Sequence, residues 1–206
     1  AYCEEGSWSV DQTTALFEKA IELNCPIRAH VDQFNPLGML SRAVDMGAVS
    51  VDHLEKSTDS ELKHLASSKT IAVLLPASGF CLNDAYANGR NIIDTGCAVA
   101  IATNYNPGSA PTPSMPFAIS LACRRLGLTP AEAITASTFN AACVLGLQNT
   151  IGSLEKGKRA DIQLLDCYDE RELAWHVSAG SPLFVSIKGE IVHLLTDGEM
   201  DVENES

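Results

Sequence analysis

Val99-Ala100-Ile101-Ala102-Thr103-Asn104-Tyr105-Asn106-Pro107-Gly108-Ser109 is the stretch on which the fold turns. Small and β-branched residues run into Asn104, and the chain must then reverse at Asn106-Pro107-Gly108. A short apolar run bounded by turn residues is the pattern of a buried strand of the parallel type. Polar side chains gathered just past such a strand's C-terminal end are where α/β folds hold their chemistry. Asn104 and Asn106 are two apart, so continued extension would project them to the same side. Gly108 and Ser109 add open backbone N–H groups and a hydroxyl. A tight turn capping a strand explains the stretch equally well, because Asn-Pro-Gly is a turn signal in its own right.

The same pattern recurs upstream. Residues 27–31 close at His30-Val31-Asp32-Gln33, residues 49–54 carry Asp52 and His53, and residues 71–75 stop at Pro76. Residues 2–4 add a short strand candidate. Helical stretches intervene. Ser9 caps one whose Leu16, Ala20, Ile21 and Leu23 fall at helical spacing, and others are expected over 37–46, from Thr58 or Asp59 to Leu65, and over 88–94 and 114–126. His30, His53, Pro76 and Asn104 are spaced by 23, 23 and 28 residues, about the length of one βα unit. Such alternation makes a parallel sheet with helices outside.

An open doubly wound sheet and a closed eight-stranded barrel both fit. Polar residues at successive strand ends favour the barrel, whose C-terminal face collects them at one mouth. A complete barrel takes eight units in ~250 residues, and this chain holds about five. The expected fold class is therefore α/β, a partial (β/α)8 TIM-type barrel over residues 1–150; either the sheet is open or further strands lie before Ala1. After Thr129-Pro130 two helices run to Leu145. Residues 160–165 and 183–194, the latter broken by a Lys188-Gly189 turn, read as a small β-sandwich appendage spanning 151–195. Residues 196–206 are acidic with little to bury, and read as a disordered tail.

With 206 residues, 46 % of them hydrophobic, the chain can bury one full core, and no apolar run reaches the length of a membrane span. A net charge of −12 argues against nucleic acid. Seven cysteines lie scattered without a CxxC pair, most within apolar runs, and read as small core residues in a reducing, cytoplasmic compartment. No signal peptide precedes them. The chain opens without Met at Ala1-Tyr2-Cys3-Glu4-Glu5, already strand-like, as a chain begun in mid-fold.

Of the histidines, His64, His176 and His193 read as solvated or hydrogen-bonded. His30 and His53 differ, because each ends an apolar strand, where an imidazole can ligate metal or carry a proton. Either alone is more often a hydrogen-bonded core histidine; two at successive strand ends shift the balance toward function. A metal site needs three or four donors, and only His30 and Asn104 offer themselves. Asn104 is a weak donor, since its amide oxygen is neutral and cannot take a proton from water. Asp32 and Asp52 could partner the histidines or cap strand ends, and Arg124-Arg125 reads as a solvated face. No phosphate loop, G-x-S-x-G or dinucleotide fingerprint is present.

In order and spacing, His30-Val31-Asp32-Gln33-Phe34, Ser50-Val51-Asp52-His53-Leu54-Glu55, Leu74-Leu75-Pro76 and Ala102 through Ser109 resemble the imidazolonepropionases, amidohydrolases of histidine degradation. Gly152-Ser153-Leu154-Glu155-x-Gly157-Lys158-x-Ala160-Asp161 is shared more widely among amidohydrolases. The resemblance extends to about Leu194. It implies a (β/α)8 barrel with a β-sandwich built from both termini and one divalent metal, zinc or iron. It further implies a small-molecule substrate, 4-imidazolone-5-propanoate, hydrolysed at its ring amide to N-formimino-L-glutamate, and leaves a homodimer open. By position, His30 and Asn104 fall at metal ligands, His53 at the active-site histidine, and Gln33, Asn106, Gly108 and Ser109 at substrate contacts.

Two departures stand out. The family's Asp, both ligand and proton acceptor, falls at Asn104, and its first two ligands, a His-x-His, have no counterpart in these residues. The chain is thus expected to be the C-terminal part of such an enzyme, without a full metal site of its own. The alternatives are an impaired or silent relative that binds a small ligand, or an amidohydrolase for another cyclic amide or heterocycle.

Overall fold

The structure is a computed structural model and describes residues 1–177 and 181–195. Five strands, β1 (Tyr2–Cys3), β2 (Arg28–Val31), β3 (Ser50–His53), β4 (Ile71–Leu74) and β5 (Val99–Ile101), stand side by side in chain order, all parallel. Right-handed crossovers between neighbours in unbroken order put every connecting helix on the same face of the sheet. A doubly wound sheet instead reverses its order at a switch point, so that alternative is set aside.

The connecting helices are α1 (Val10–Glu22), α2 (Met39–Asp45), α3 (Asp59–Ala66), α4 (Pro76–Leu82) and α5 (Gly89–Asp94), with α6 (Met115–Arg125) following β5. Ser9 and Thr58 close capping boxes with Gln12 and Glu61, satisfying the first free N–H groups of α1 and α3. In α1 the buried residues are Thr13 and Phe17, whereas Leu16, Ile21 and Leu23 are exposed. Helical spacing identified the helix but not which of its stripes packs. Helix α4 was not anticipated: Pro76 ends β4 and also occupies the first helical turn, where its missing N–H is harmless. At Gly79 a Cβ would stand 2.8 Å from the Ala85 carbonyl oxygen, so the close return of the chain there requires glycine.

Alternation along the strands sorts their side chains. Ala29, Val31, Val51, Ala72, Leu74, Val99 and Ile101 join Met39, Leu40, Leu62, Leu65 and Ile92 in the core beneath the helices. On the other face, Arg28, His30, Ser50 and Asp52 make a polar half, while Ile71, Val73, Leu75 and Ala100 form an apolar half with Val144. Helices α7 (Pro130–Ser137) and α8 (Phe139–Val144) follow α6. Helix α8 crosses the N-terminal rim of the sheet: Asn140 Nδ2 donates to the Val99 carbonyl at 2.7 Å, and Arg28 Nη2 donates to the Val144 carbonyl at 2.6 Å. That rim is closed, and the C-terminal rim is left for chemistry.

Beyond α8, β6 (Ile162–Leu164), α9 (Glu172–Trp175), β7 (Phe184–Ile187) and β8 (Glu190–Leu194) complete the described residues. The three strands form one antiparallel sheet, a single layer where a sandwich was expected, and Lys188 and Gly189 both take positive φ in the turn between β7 and β8. This part is tied back to the first, because Ala174 of α9 is buried in the main core against α6. The acidic stretch 196–206 lies outside the described residues.

Two further expectations are corrected. Only Cys3 and Cys97 are buried; Cys25 and Cys81 are exposed, the others half-buried, and all seven are free. The Arg124-Arg125 pair is not merely solvated: Arg124 lies over the Trp175 ring and donates to its carbonyl, and Arg125 lies over Tyr86. Among the described residues no helix is long and apolar enough to cross a membrane.

Candidate active site

The C-terminal rim carries backbone conformations that side chains rarely adopt. Asp32 after β2, His53 and Leu54 at the end of β3, and Asn104 after β5 have φ of 57°, 89°, 74° and 54°. Left-handed geometry at non-glycine residues carries strain, and such residues cluster where side chains must be aimed. The Leu54 N–H donates to the Val31 carbonyl and the Lys56 N–H to that of Asp32, so the turn after β3 is fastened to the end of β2.

Parallel register sets Tyr2 beside His30, His30 beside Asp52 and Val31 beside His53. The rings follow: Tyr2 and His30 have centroids 4.0 Å apart, and His30 and His53 4.2 Å. Desolvation, helped by the His53 and N-terminal charges, lowers the His30 pKa to about 3, so its imidazole is neutral at ordinary pH. His30 Nε2 lies 3.3 Å from Glu4 Oε1 but out of alignment, and is buried with no hydrogen-bond partner. The Glu4 carboxylate is engaged elsewhere. It accepts from the backbone N–H of Gln33 at 2.7 Å, of Phe34 at 3.4 Å and of Asn35 at 3.2 Å, holding the loop after β2.

His53 is buried, and its Nδ1 lies 3.1 Å from Glu55 Oε1. The histidine partners anticipated at Asp32 and Asp52 are not found. Asp32 accepts from the Ser57 hydroxyl at 2.7 Å, and burial raises its pKa to about 6. Asp52 accepts from the Ser50 hydroxyl at 2.8 Å, and burial pushes its pKa up as well. The carboxylates beside the two imidazoles are instead Glu4 and Glu55. Both were legible by position: Glu4 directly follows β1, the neighbour of the strand that carries His30, and Glu55 stands two residues beyond His53.

Asn104 stands on the same rim, with β4 between its strand and that of His53. Its Nδ2 donates to the buried Ser78 hydroxyl of α4 at 2.7 Å. The chain is not extended here, so Asn104 and Asn106 do not project as a pair. Asn106 builds the loop: its Oδ1 accepts from the N–H of Gly108 at 2.9 Å and of Ser109 at 2.8 Å, and its Nδ2 donates to the Asn104 carbonyl at 2.6 Å, so the N–H groups expected to be open are spent within the loop. A cavity of about 830 Å³ lies elsewhere, bordered by residues of α7, α8 and β6 such as Ile134, Ala141 and Leu164.

The donor set fits a metal ion only in part. His30 offers a buried, neutral, unpartnered nitrogen, the state in which imidazole ligates metal. Among the described residues, however, no group of three or more His, Cys, Asp or Glu could hold an ion.

A sequence profile of the amidohydrolase family matches residues 4–200. This chain belongs to that family. It is similar to the imidazolonepropionase of Symbiobacterium thermophilum, with 40 % identity over 192 residues, 93 % of this chain and 45 % of that protein. The imidazolonepropionase of Bacteroides fragilis is likewise 40 % identical, over 93 % of this chain and 46 % of its own. The chain thus spans about half the length of the curated relatives it matches. Among solved structures, a Xanthomonas campestris adenosine deaminase with bound zinc superposes at a TM-score of 0.76 and 19 % identity, over 96 % of this chain and 53 % of that one. A mutant Arthrobacter aurescens atrazine chlorohydrolase, complexed with zinc and atraton, gives 0.71 and 20 %, over 96 % and 51 %. At such identities the amidohydrolase chain shares the fold with these enzymes.

Proposed function

We propose that this chain supplies the C-terminal half of an imidazolonepropionase-type site. In this reading its parallel sheet is five strands of a (β/α)8 barrel, and β6 to β8 are part of a sandwich completed by other residues. Residues 1–150, 151–195 and 196–206 are then barrel, sandwich strands and tail. The reaction is hydrolysis of the ring amide of 4-imidazolone-5-propanoate to N-formimino-L-glutamate, in the cytoplasm. The observation that carries this is the close, tilted packing of the His30 ring against that of His53 at the C-terminal rim, in a chain so similar to two imidazolonepropionases.

His30 would hold one divalent cation, zinc or iron, through its unpartnered Nε2, with Asn104 as a weak fourth donor. Such a cation supplies polarisation of the amide carbonyl and acidification of water. His53 carries the proton from the attacking water to the leaving ring nitrogen, because the Asn104 amide cannot accept one. Gly108 and Ser109 would meet the polar groups of the substrate by exchanging their bonds to Asn106 Oδ1, and Gln33, whose backbone Glu4 fixes, would be a further contact.

One observation favours a second reading, a silent relative that binds a small ligand: Asn104 is neutral and its amide is engaged by Ser78. A chimera separates the two, with this chain replacing the matching segment of the Symbiobacterium enzyme. The expected result is one metal ion per chain, measurable ring opening, and a ~10²–10⁴-fold gain from Asn104→Asp, the scale of a general base. A folded chimera that takes up metal but turns over nothing, with either residue at 104, would leave the silent relative standing.

A further inference from the structure

We infer that Glu55 is the positioning residue that fixes the tautomer of His53, leaving Nε2 bare for the proton it carries. The inference rests on the reading of His53 given above. Three observations support it. The side chains of His53 and Glu55 are only 3 % and 6 % exposed, and Oε1 lies 3.1 Å from Nδ1, so a buried carboxylate acceptor holds the proton on Nδ1. The consecutive left-handed residues His53 and Leu54 turn the chain at the end of β3, and within that turn the Glu55 carboxylate is brought back to the His53 ring.

The third observation is what Glu55 does not do. Its Oε2 is buried without a partner, and His53 is its hydrogen-bond partner among the described residues. Glu4 at the same rim is the contrast, a buried carboxylate that holds three backbone N–H groups and therefore shapes a loop. Among the described residues Glu55 secures no backbone N–H. A buried carboxylate with one oxygen idle is costly, and an apolar residue would pack there more cheaply. The contact with the imidazole is what the carboxylate serves.

The test is ¹⁵N NMR of the His53 ring in this chain, at a pH where it is neutral, with Glu55→Gln and Glu55→Leu. The expected wild-type tautomer is Nδ1–H with bare Nε2. Gln, whose amide oxygen also accepts, should preserve it, and Leu should release the ring to the Nε2–H form that free histidine prefers. In the chimera, Leu should lower kcat by ~10²–10⁴-fold, the range of a general acid–base step, with KM little changed, and Gln should recover part of it. An Nε2–H tautomer in the wild type, or a tautomer unmoved in folded Glu55→Leu, overturns the inference; should Leu not fold, the wild-type and Gln spectra still decide it. The tautomer is read without turnover, so an inactive chimera would count against the proposed reaction and not against Glu55.

Discussion

Removing the Glu4 carboxylate should loosen the loop after β2 far more than an ordinary surface change. Glu4 is 3 % exposed, and its oxygens accept from Gln33 at 2.7 Å, Asn35 at 3.2 Å and, more weakly, Phe34 at 3.4 Å. Glu4→Ala leaves two well-bonded N–H groups and one marginal one without acceptors. An orphaned buried donor costs about 1–3 kcal/mol. The two good bonds therefore set a loss of about 2–6 kcal/mol, reduced by relief of the desolvation of a buried charge. A net of about 2–4 kcal/mol corresponds to roughly 30- to 700-fold faster opening, at about 1.4 kcal/mol per factor of ten. Amide hydrogen exchange reads this locally, so the assay compares the rates of Gln33 and Asn35 in wild type and Glu4→Ala, with Val51 in β3 as internal control. Glu4→Gln should recover protection at Gln33 through its amide oxygen and not at Asn35, whose N–H its NH2 group would face. Exchange at Gln33 and Asn35 unchanged within about threefold would refute the claim that Glu4 holds this loop.

The pH dependence of stability follows from two buried groups displaced in opposite directions. The Asp32 pKa is raised from 3.8 to about 6, so the folded state keeps a proton that the unfolded chain releases, and its contribution is lost as pH rises through that window. Asp32→Asn should flatten denaturant midpoints over that range, and an unaltered slope would contradict the assignment. His30, lowered from 6.5 to about 3, works the other way: stability falls as pH drops below 6.5, and its NMR signals should remain those of a neutral ring at pH 5. Gly79→Ala places a Cβ 2.8 Å from a backbone oxygen and should destabilise by about 1–3 kcal/mol in urea unfolding, as overpacking does.

The sheet was legible because its strands obey a local rule. Short apolar runs ending in polar residues at intervals of one βα unit carry their own pattern, and β2, β3, β4 and β5 all lie within the anticipated segments. The rim histidines were legible for the same reason. Helix α4 was not, because Pro76 ends a strand and opens a helix with one and the same property, the lack of an N–H. The buried stripe of α1 and the stacking of Arg124 on Trp175 depend on packing between segments far apart in sequence, which no local period encodes. Adjacency in sequence points to Asp32 and Asp52 as the partners of the histidines. Left-handed backbone at the strand ends defeats that expectation: it turns Asp32 to Ser57 and brings Glu55 to His53.

The same backbone feature explains why one rim of this sheet can host chemistry and the other cannot. At the N-terminal rim polar side chains are spent on closure, Arg28 on the Val144 carbonyl and Asn140 on that of Val99. At the C-terminal rim the strained residues Asp32, His53 and Asn104 turn the chain out of the sheet within three residues of the last strand position. Their loops are held by other side chains, Glu4 for the loop after β2 and Asn106 for the loop after β5. Because those supports absorb the backbone groups, His30 keeps its Nε2 unpartnered, a condition that an ordinary folded interior removes. The unsatisfied nitrogen and the strained turns are thus one arrangement: loops stabilised from within leave the strand-end imidazoles free to be used.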